Sequence, residues 1–280
     1  MKVRGGSATA RVFQYIALAA FTIFLVFPFI WLISTAFKSS REINSLAVSL
    51  IPKNPTIDNF VVAFQSQGLV QAAINSVVVA AATTIVVVVV SVPGAYAMAR
   101  YRGRVRNLGI GWILISQLIP VPLIIIPMFF ILRSLGLIDS LVGLTVVYVV
   151  YTLPFSLWML QGFVGGIPDD IEEAGSIDGA GRLRILWNIV LPLLRPGLIA
   201  TAIFTFVSAY NEFFFALVIL QSSPHYTLSV TLSTFVNGQG LSLIGPLAAG
   251  ALLASIPSIV FFAILQRRLA GGLLAGAVKG

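Results

Sequence analysis

The chain has 280 residues, 58% of them hydrophobic and 9% charged, with a mean hydropathy of +1.01. Soluble domains carry roughly a quarter of their residues as charges, and 17 basic plus 9 acidic side chains cannot coat a soluble fold of this length. The composition is that of an all-α integral membrane protein.

Long uncharged runs leave room for six spans, predicted at roughly 12–36, 72–98, 108–131, 141–163, 197–219 and 246–266. Each is near the ~20 residues that a bilayer demands. The first follows Lys2, Arg4 and Arg11, as a secretory signal would, but its apolar stretch exceeds the 7–15 residues of a cleavable signal, so it reads as a retained helix. In the connection 38–70, Ile51-Pro52-Lys53-Asn54-Pro55 supplies turn chemistry and Ile57 to Phe64 form a short amphipathic stretch. The second span contains Val86–Val90, strand-like by propensity. Inside 41 consecutive uncharged residues it must satisfy its backbone internally, so it is read as helix.

Pro120, Pro122 and Pro127 crowd the third span and point to a broken helix there. Between the fifth and sixth spans, residues 220–245 carry turn signals at Ser223-Pro224 and Asn237-Gly238. This connection is either a docking surface or a plain link, and His225 within it reads as surface. Thirteen basic residues fall on the side of the two termini and four (Lys38, Arg41, Lys53, Arg133) on the other. Both termini are therefore predicted to be cytoplasmic, with the chain in the cytoplasmic (inner) cell membrane. The net charge of +8 has the same origin and calls for no nucleic-acid partner. With no cysteine and one histidine, disulfides, thiolate sites and zinc chemistry have no basis, and no metal site is expected.

The inner connection 164–196 differs from its surroundings. Five of the nine acids, Asp169, Asp170, Glu172, Glu173 and Asp178, lie within ten residues. Pro168 followed by carboxylates predicts a helix start. That helix should break at Asp178-Gly179 and restart through Leu183–Leu191, ending at Pro192. Helices that lie on the anionic inner leaflet are normally basic. Five acids and small residues at 174, 175, 179, 180 and 181 instead favour docking of a protein partner.

Glu173-Ala174-Gly175, Asp178-Gly179-Ala180 and Pro192 resemble the EAA loop of bacterial ATP-binding-cassette importer permeases. In that pattern Gly175 stands in place of the second alanine, and Leu186, beside Trp187, in place of a common phenylalanine. Tyr210-Asn211-Glu212-Phe213 resembles the Trp-Asn-Glu-Phe segment of the sugar-permease branch. Asn75-Ser76, the stretch from Ala95 to Arg100, Gln266-Arg267-Arg268 and the ending Gly276 to Gly280 are similar to carbohydrate permeases of the maltose-subunit-G type. The resemblance implies a type I importer permease fold, with the whole chain a single permease domain. It implies a coupling helix seated in a cytoplasmic ATPase, a second permease subunit, two ATPase subunits and an extracytoplasmic binding protein that delivers the sugar. The family also serves other solutes, such as glycerol phosphates. ATP and Mg would be used by the ATPase, since this chain lacks a Gly-x-x-x-x-Gly-Lys-Ser/Thr loop, so no catalytic residue is expected here.

Glu212 is the one acid well inside a predicted span, where a carboxylate must find a cavity or a partner. Two readings stand: hydrogen bonding between helices, or a place with Tyr210, Asn211 and Phe213 on the sugar pathway. Asn75, also a pathway candidate, is read with Gln117 and Tyr148 primarily as interhelical glue. A proton-coupled secondary transporter would show paired intramembrane acids or internal repeats, and a channel would show polar rings. The sequence displays neither.

Overall fold

The computed structural model describes residues 8–65, 68–101, 103–236 and 243–277. Lys2, Arg4, Arg102, the Asn237-Gly238 turn signal and residues 278–280 lie outside the described residues. Among the described residues every regular element is helical. In chain order they are α1 (Ala8–Ala36), α2 (Ser40–Ile43), α3 (Asp58–Gln65), α4 (Leu69–Arg100), α5 (Arg104–Leu118), α6 (Val121–Ser134) and α7 (Leu141–Gly165). There follow α8 (Asp169–Ile177), α9 (Arg182–Ile185), a π turn (Leu186–Val190), α10 (Leu191–Leu193), α11 (Arg195–Asn211), α12 (Phe214–Ile219), a 3-10 turn (Ser223–His225), α13 (Leu228–Thr234) and α14 (Ile244–Ala277).

Four helices, α1, α4, α7 and α14, are long and apolar enough to cross a membrane alone. The count reaches six if two bent pairs each form one span. The expected third span, 108–131, is one of these pairs: α5 and α6 meet at 104° around Ile119-Pro120. Pro120 caps α6 in an extended conformation and Pro122 sits in its first turn, so the proline cluster breaks the helix where the sequence suggested. The second pair turns by 76° between 182–193 and 195–211. The expected fifth span, 197–219, is itself divided into α11 and α12 by Glu212 and Phe213.

The described residues fall into two compact units. One comprises the chain through α3 and the described part of 232–253. Here α1 is exposed along nearly all of its apolar length and becomes buried only near Ser34–Ala36. The buried Asn59 closes the end of α1 by donating from Nδ2 to the Ala36 and Lys38 carbonyls at 2.9 and 2.7 Å. Gly245 must lack a side chain, because a Cβ there would stand 2.3 Å from Asn59 Oδ1.

The other unit, 68–231 with 254–280, is built on α4, α7 and α11. Small residues let these helices approach closely, the usual device where lipid removes the hydrophobic drive between helices. A Cβ on Gly94 would meet Leu157 Cδ2 at 2.7 Å, and one on Gly197 would meet the Phe163 ring at 2.6 Å. Ser156 and Thr205 share a buried hydrogen bond of 3.1 Å between α7 and α11. At one end of this bundle Val92, Ala95, Leu160 and Val164 form a core with Ile185, Leu186, Val190 and Leu194. That core fastens the α9–α10 stretch to the ends of α4 and α7.

Candidate functional site

The acidic connection folds as a short helix followed by a reversal. Pro168 has extended backbone angles and precedes α8, whose first turn holds Asp169, Asp170 and Glu172 against the positive end of the helix dipole. At the other end Gly179 takes φ +81°. Its amide donates to the Ser176 carbonyl at 3.1 Å, and the Ala180 amide donates to Gly175 at 3.0 Å. These two bonds make a Schellman C-cap, which needs the left-handed residue that glycine supplies without strain. Gly179 is thus small first for the turn. Gly175 is small for packing: it is buried, and a Cβ there would lie 2.6 Å from Ile189 Cδ1.

Glu173, Ala174, Asp178 and Gly179 are exposed, Ala180 is half-buried, and Pro192 is exposed. Two large apolar side chains, Ile177 and Leu183, stand in solvent on either side of the break at 86% and 73% exposure. The helix does not end at Pro192, as expected from the sequence. It restarts at Arg182, widens into the π turn, and runs through Pro192 to Leu193. The Leu191 amide bonds to the carbonyl of Leu186, five residues back. This wider register precedes the residue that has no amide to donate and whose ring would crowd a carbonyl four residues back.

The acids divide into two sets. Glu172 and Asp169 face Arg100 at the end of α4, with Arg100 Nε 2.6 Å from Glu172 Oε1 and Arg100 Nη1 2.8 Å from Asp169 Oδ1. The Tyr96 hydroxyl donates to Glu172 Oε2 at 2.7 Å. Asp170, Glu173 and Asp178 are exposed and form no ion pair among the described residues, Glu173 standing at the edge of the cleft that Arg100, Tyr101 and Arg182 also line. The inward set escaped the sequence reading because Arg100 lies far away in the chain and looked like one more basic residue at a span end.

The intramembrane candidates also separate. Glu212 sits between α11 and α12, and its carboxylate accepts from the Phe215 amide at 3.0 and 3.1 Å and the Ala216 amide at 3.3 Å. It also accepts from the Tyr148 hydroxyl at 2.8 Å. Asn75 is buried, donates to the Pro224 and Tyr226 carbonyls at 2.9 and 3.0 Å and accepts from Gln71 at 2.9 Å. Tyr210 is buried and donates to the Ala254 carbonyl at 2.9 Å. The hydrogen bonds of these three are thus spent within the fold. Asn211 is exposed and its amide donates one turn back to Val207, while Phe213 is half-buried with its ring against Phe214.

A cavity of about 450 Å³ lies beside this break, among α5, α6, α7 and α12. Trp112, Tyr151 and Phe215 give it aromatic walls, and Ser116 and Gln117 give it polar groups. Gln117 forms no hydrogen bond to a neighbouring helix among the described residues, so its amide is free to face the cavity. Tyr151 and Phe215 meet edge to face at 5.7 Å, linking the cavity wall to the helix that Glu212 caps. No group of three or more histidine, cysteine or acidic residues is placed to hold a metal among the described residues.

Residues 91–274 match the family model described as binding-protein-dependent transport system inner membrane component. The putative ABC transporter permease protein ORF1 of Streptomyces antibioticus is 51% identical over 229 residues, which is 82% of this chain and all of that protein. The diacetylchitobiose uptake system permease protein DasC of Streptomyces coelicolor is 34% identical over 98% of this chain and 99% of its own length. Among solved structures, a bacterial ABC transporter involved in import of the acidic polysaccharide alginate matches with a TM-score of 0.80 at 23% identity. That match covers 94% of this chain and 98% of the other.

Proposed function

Because this chain belongs to the family of binding-protein-dependent transport system inner membrane components, we propose that it is the permease subunit of an ATP-driven sugar importer. In this reading it forms half of the translocation pathway with a second permease subunit. Two ATPase subunits hydrolyse ATP with Mg, and an extracytoplasmic binding protein delivers the sugar. The observation that carries the coupling step is the set of exposed acids on and just after α8 that form no ion pair among the described residues. Glu173, Asp170 and Asp178 are exposed alongside Ile177 and Leu183, on a helix that packs through Gly175 on Ile185 and Ile189 and is tied to α4 by Arg100 and Tyr96. Acidic and apolar groups presented together on a braced helix suit a cleft on another protein better than an anionic membrane surface.

Sugar as the solute is supported by the substrate named for the diacetylchitobiose permease and by the cavity chemistry. Aromatic faces stack on the apolar side of a pyranose, and amide and hydroxyl groups serve its hydroxyls. In this reading six spans place both termini and α8 on the cytoplasmic side, with α5 and α6 forming one bent span and α11, continued by α12 past the Glu212 break, another.

The test is reconstitution of the importer in vesicles with Glu173→Ala and Gly179→Phe. Both variants are expected to lower ATP-dependent uptake at least about tenfold while the chain remains in the membrane. Gly179→Phe acts by straining the C-cap, and Glu173→Ala by removing an outward contact. Uptake at the unaltered rate in both variants would sink the coupling role of α8. Uptake of a glycerol phosphate with no sugar uptake would replace the solute and leave the machinery standing.

A further inference from the structure

We infer that Arg100 is a positioning residue that locks α8 to α4, so that a push on α8 moves the membrane helix with it. This rests on the reading of α8 as the ATPase-docking helix. Arg100 is the last residue of α4, and its guanidinium spends all three nitrogens on one neighbour. Nε reaches Glu172 Oε1 at 2.6 Å, Nη1 reaches Asp169 Oδ1 at 2.8 Å, and Nη2 donates to the Ile167 carbonyl at 2.8 Å. One turn earlier on the same helix, the Tyr96 hydroxyl takes the second oxygen of Glu172 at 2.7 Å. The side chains of Arg100 and Glu172 are only 15% and 12% exposed.

A surface ion pair would contribute little, but a pair this shielded is costly to break, because removal of one partner leaves the other charged and poorly solvated. The planar fork of arginine satisfies several acceptors in fixed directions, which fixes orientation as well as distance. A second tie closes the other flank: Arg182 Nη1 donates to the Tyr101 hydroxyl at 2.6 Å, joining α9 to the residue after α4. The helix is therefore gripped at its start by α4 itself and beyond its end through α9. Asp170, Glu173 and Asp178 are left free for a partner. An ATPase that displaces α8 then works against a rigid joint rather than a flexible loop.

The experiment uses the complete importer in lipid vesicles and reads Mg-ATP hydrolysis with and without the binding protein. It compares wild type, Arg100→Gln and the double variant Arg100→Gln/Glu172→Gln, which leaves no unpaired buried charge at this pair. In parallel, Glu173→Cys is treated with a thiol-to-amine cross-linker, a clean probe in a chain without cysteine. The expected result is a Glu173→Cys cross-link to the ATPase. Both Arg100 variants should retain co-purifying ATPase, with stimulation by the binding protein reduced at least about fivefold. A cross-link combined with wild-type stimulation in the double variant overturns the lock and leaves the docking role intact. Absence of the cross-link from a Glu173→Cys complex that still co-purifies with the ATPase overturns the docking role, and the lock falls with it; loss of the ATPase from that variant supports the docking role.

Discussion

Glu212 stops one helix and starts the next. Its carboxylate takes the Phe215 and Ala216 amides, which the first turn of α12 would otherwise leave unpaired, and it takes the Tyr148 hydroxyl from α7 as well. The sequence singled out Glu212 because an acid in an apolar span needs a reason. The reason was not readable there, since Tyr148 lies 64 residues away and only the fold brings the two together. Glu212→Ala should lower stability in detergent by about 1–3 kcal/mol through loss of the cap and an orphaned hydroxyl. Glu212→Gln keeps one acceptor oxygen and should cost about 1 kcal/mol or less. A double-mutant cycle with Tyr148→Phe isolates the contact. Its coupling should fall near the ~0.6–1.7 kcal/mol seen for interhelical hydrogen bonds in membranes. Strictly additive losses in thermal denaturation would separate the two side chains energetically, and altered transport at equal stability would return Glu212 to the solute pathway.

Element boundaries were legible wherever backbone chemistry set them. Pro168 and Gly179 bound α8, and Pro120 with Pro122 break the third span, because proline and glycine act on their own turn. Pro192 misled for the same local reason: the π turn, supported by tertiary packing of Leu186 and Val190, lets the helix pass through it. Clasps between distant elements were not legible. Asp139, in the turn before α7, accepts from the Gln221 and Ser222 amides at 2.9 and 3.0 Å and from the Ser222 hydroxyl at 2.6 Å. His225 Nδ1 stands 3.3 Å from the same carboxylate, so this histidine belongs to a junction rather than to plain surface. Partial burial alone would raise the pKa of Asp139, but the Ser222 hydroxyl, the two amides and His225 together hold it well below the usual carboxylate range. A depressed folded-state pKa stabilises the fold above the ordinary value of about 3.9 and loses that contribution as pH falls below it. The Asp139 carboxylate should therefore contribute a constant stabilisation above about pH 5 that weakens below about pH 4. Asp139→Asn should be less stable than wild type at neutral pH, and its stability should fall less steeply in acid. Thermal denaturation from pH 3 to 8 reads both effects, and parallel acid limbs in the two proteins would refute the clasp.

For the whole molecule, the sparse charges carry the orientation, and the 104° bend between α5 and α6 makes that orientation worth measuring. Neither helix spans alone: 15 and 14 residues rise only about 21–23 Å against a core of about 30 Å. Joined as one bent span, they carry the chain across and put α6's end, with Arg133, on the outer side. As a re-entrant pair they would return it to the inner side. Every later element would then be inverted, with α8 and the arginines 182, 184 and 195 outside. Basic residues favour the cytoplasmic face, so the first arrangement is the one the proposed function expects. Single cysteines decide it, because the chain has none of its own. Ser45, Asn107, Ser134 and Ser176 are all exposed, and each is replaced in turn. In intact cells stripped of outer layers, a membrane-impermeant maleimide should label Ser45→Cys and Ser134→Cys. Asn107→Cys and Ser176→Cys should react only after permeabilisation. Labelling of Ser176→Cys from outside, with Ser134→Cys protected, would establish the re-entrant pair and remove α8 from the reach of any cytoplasmic ATPase.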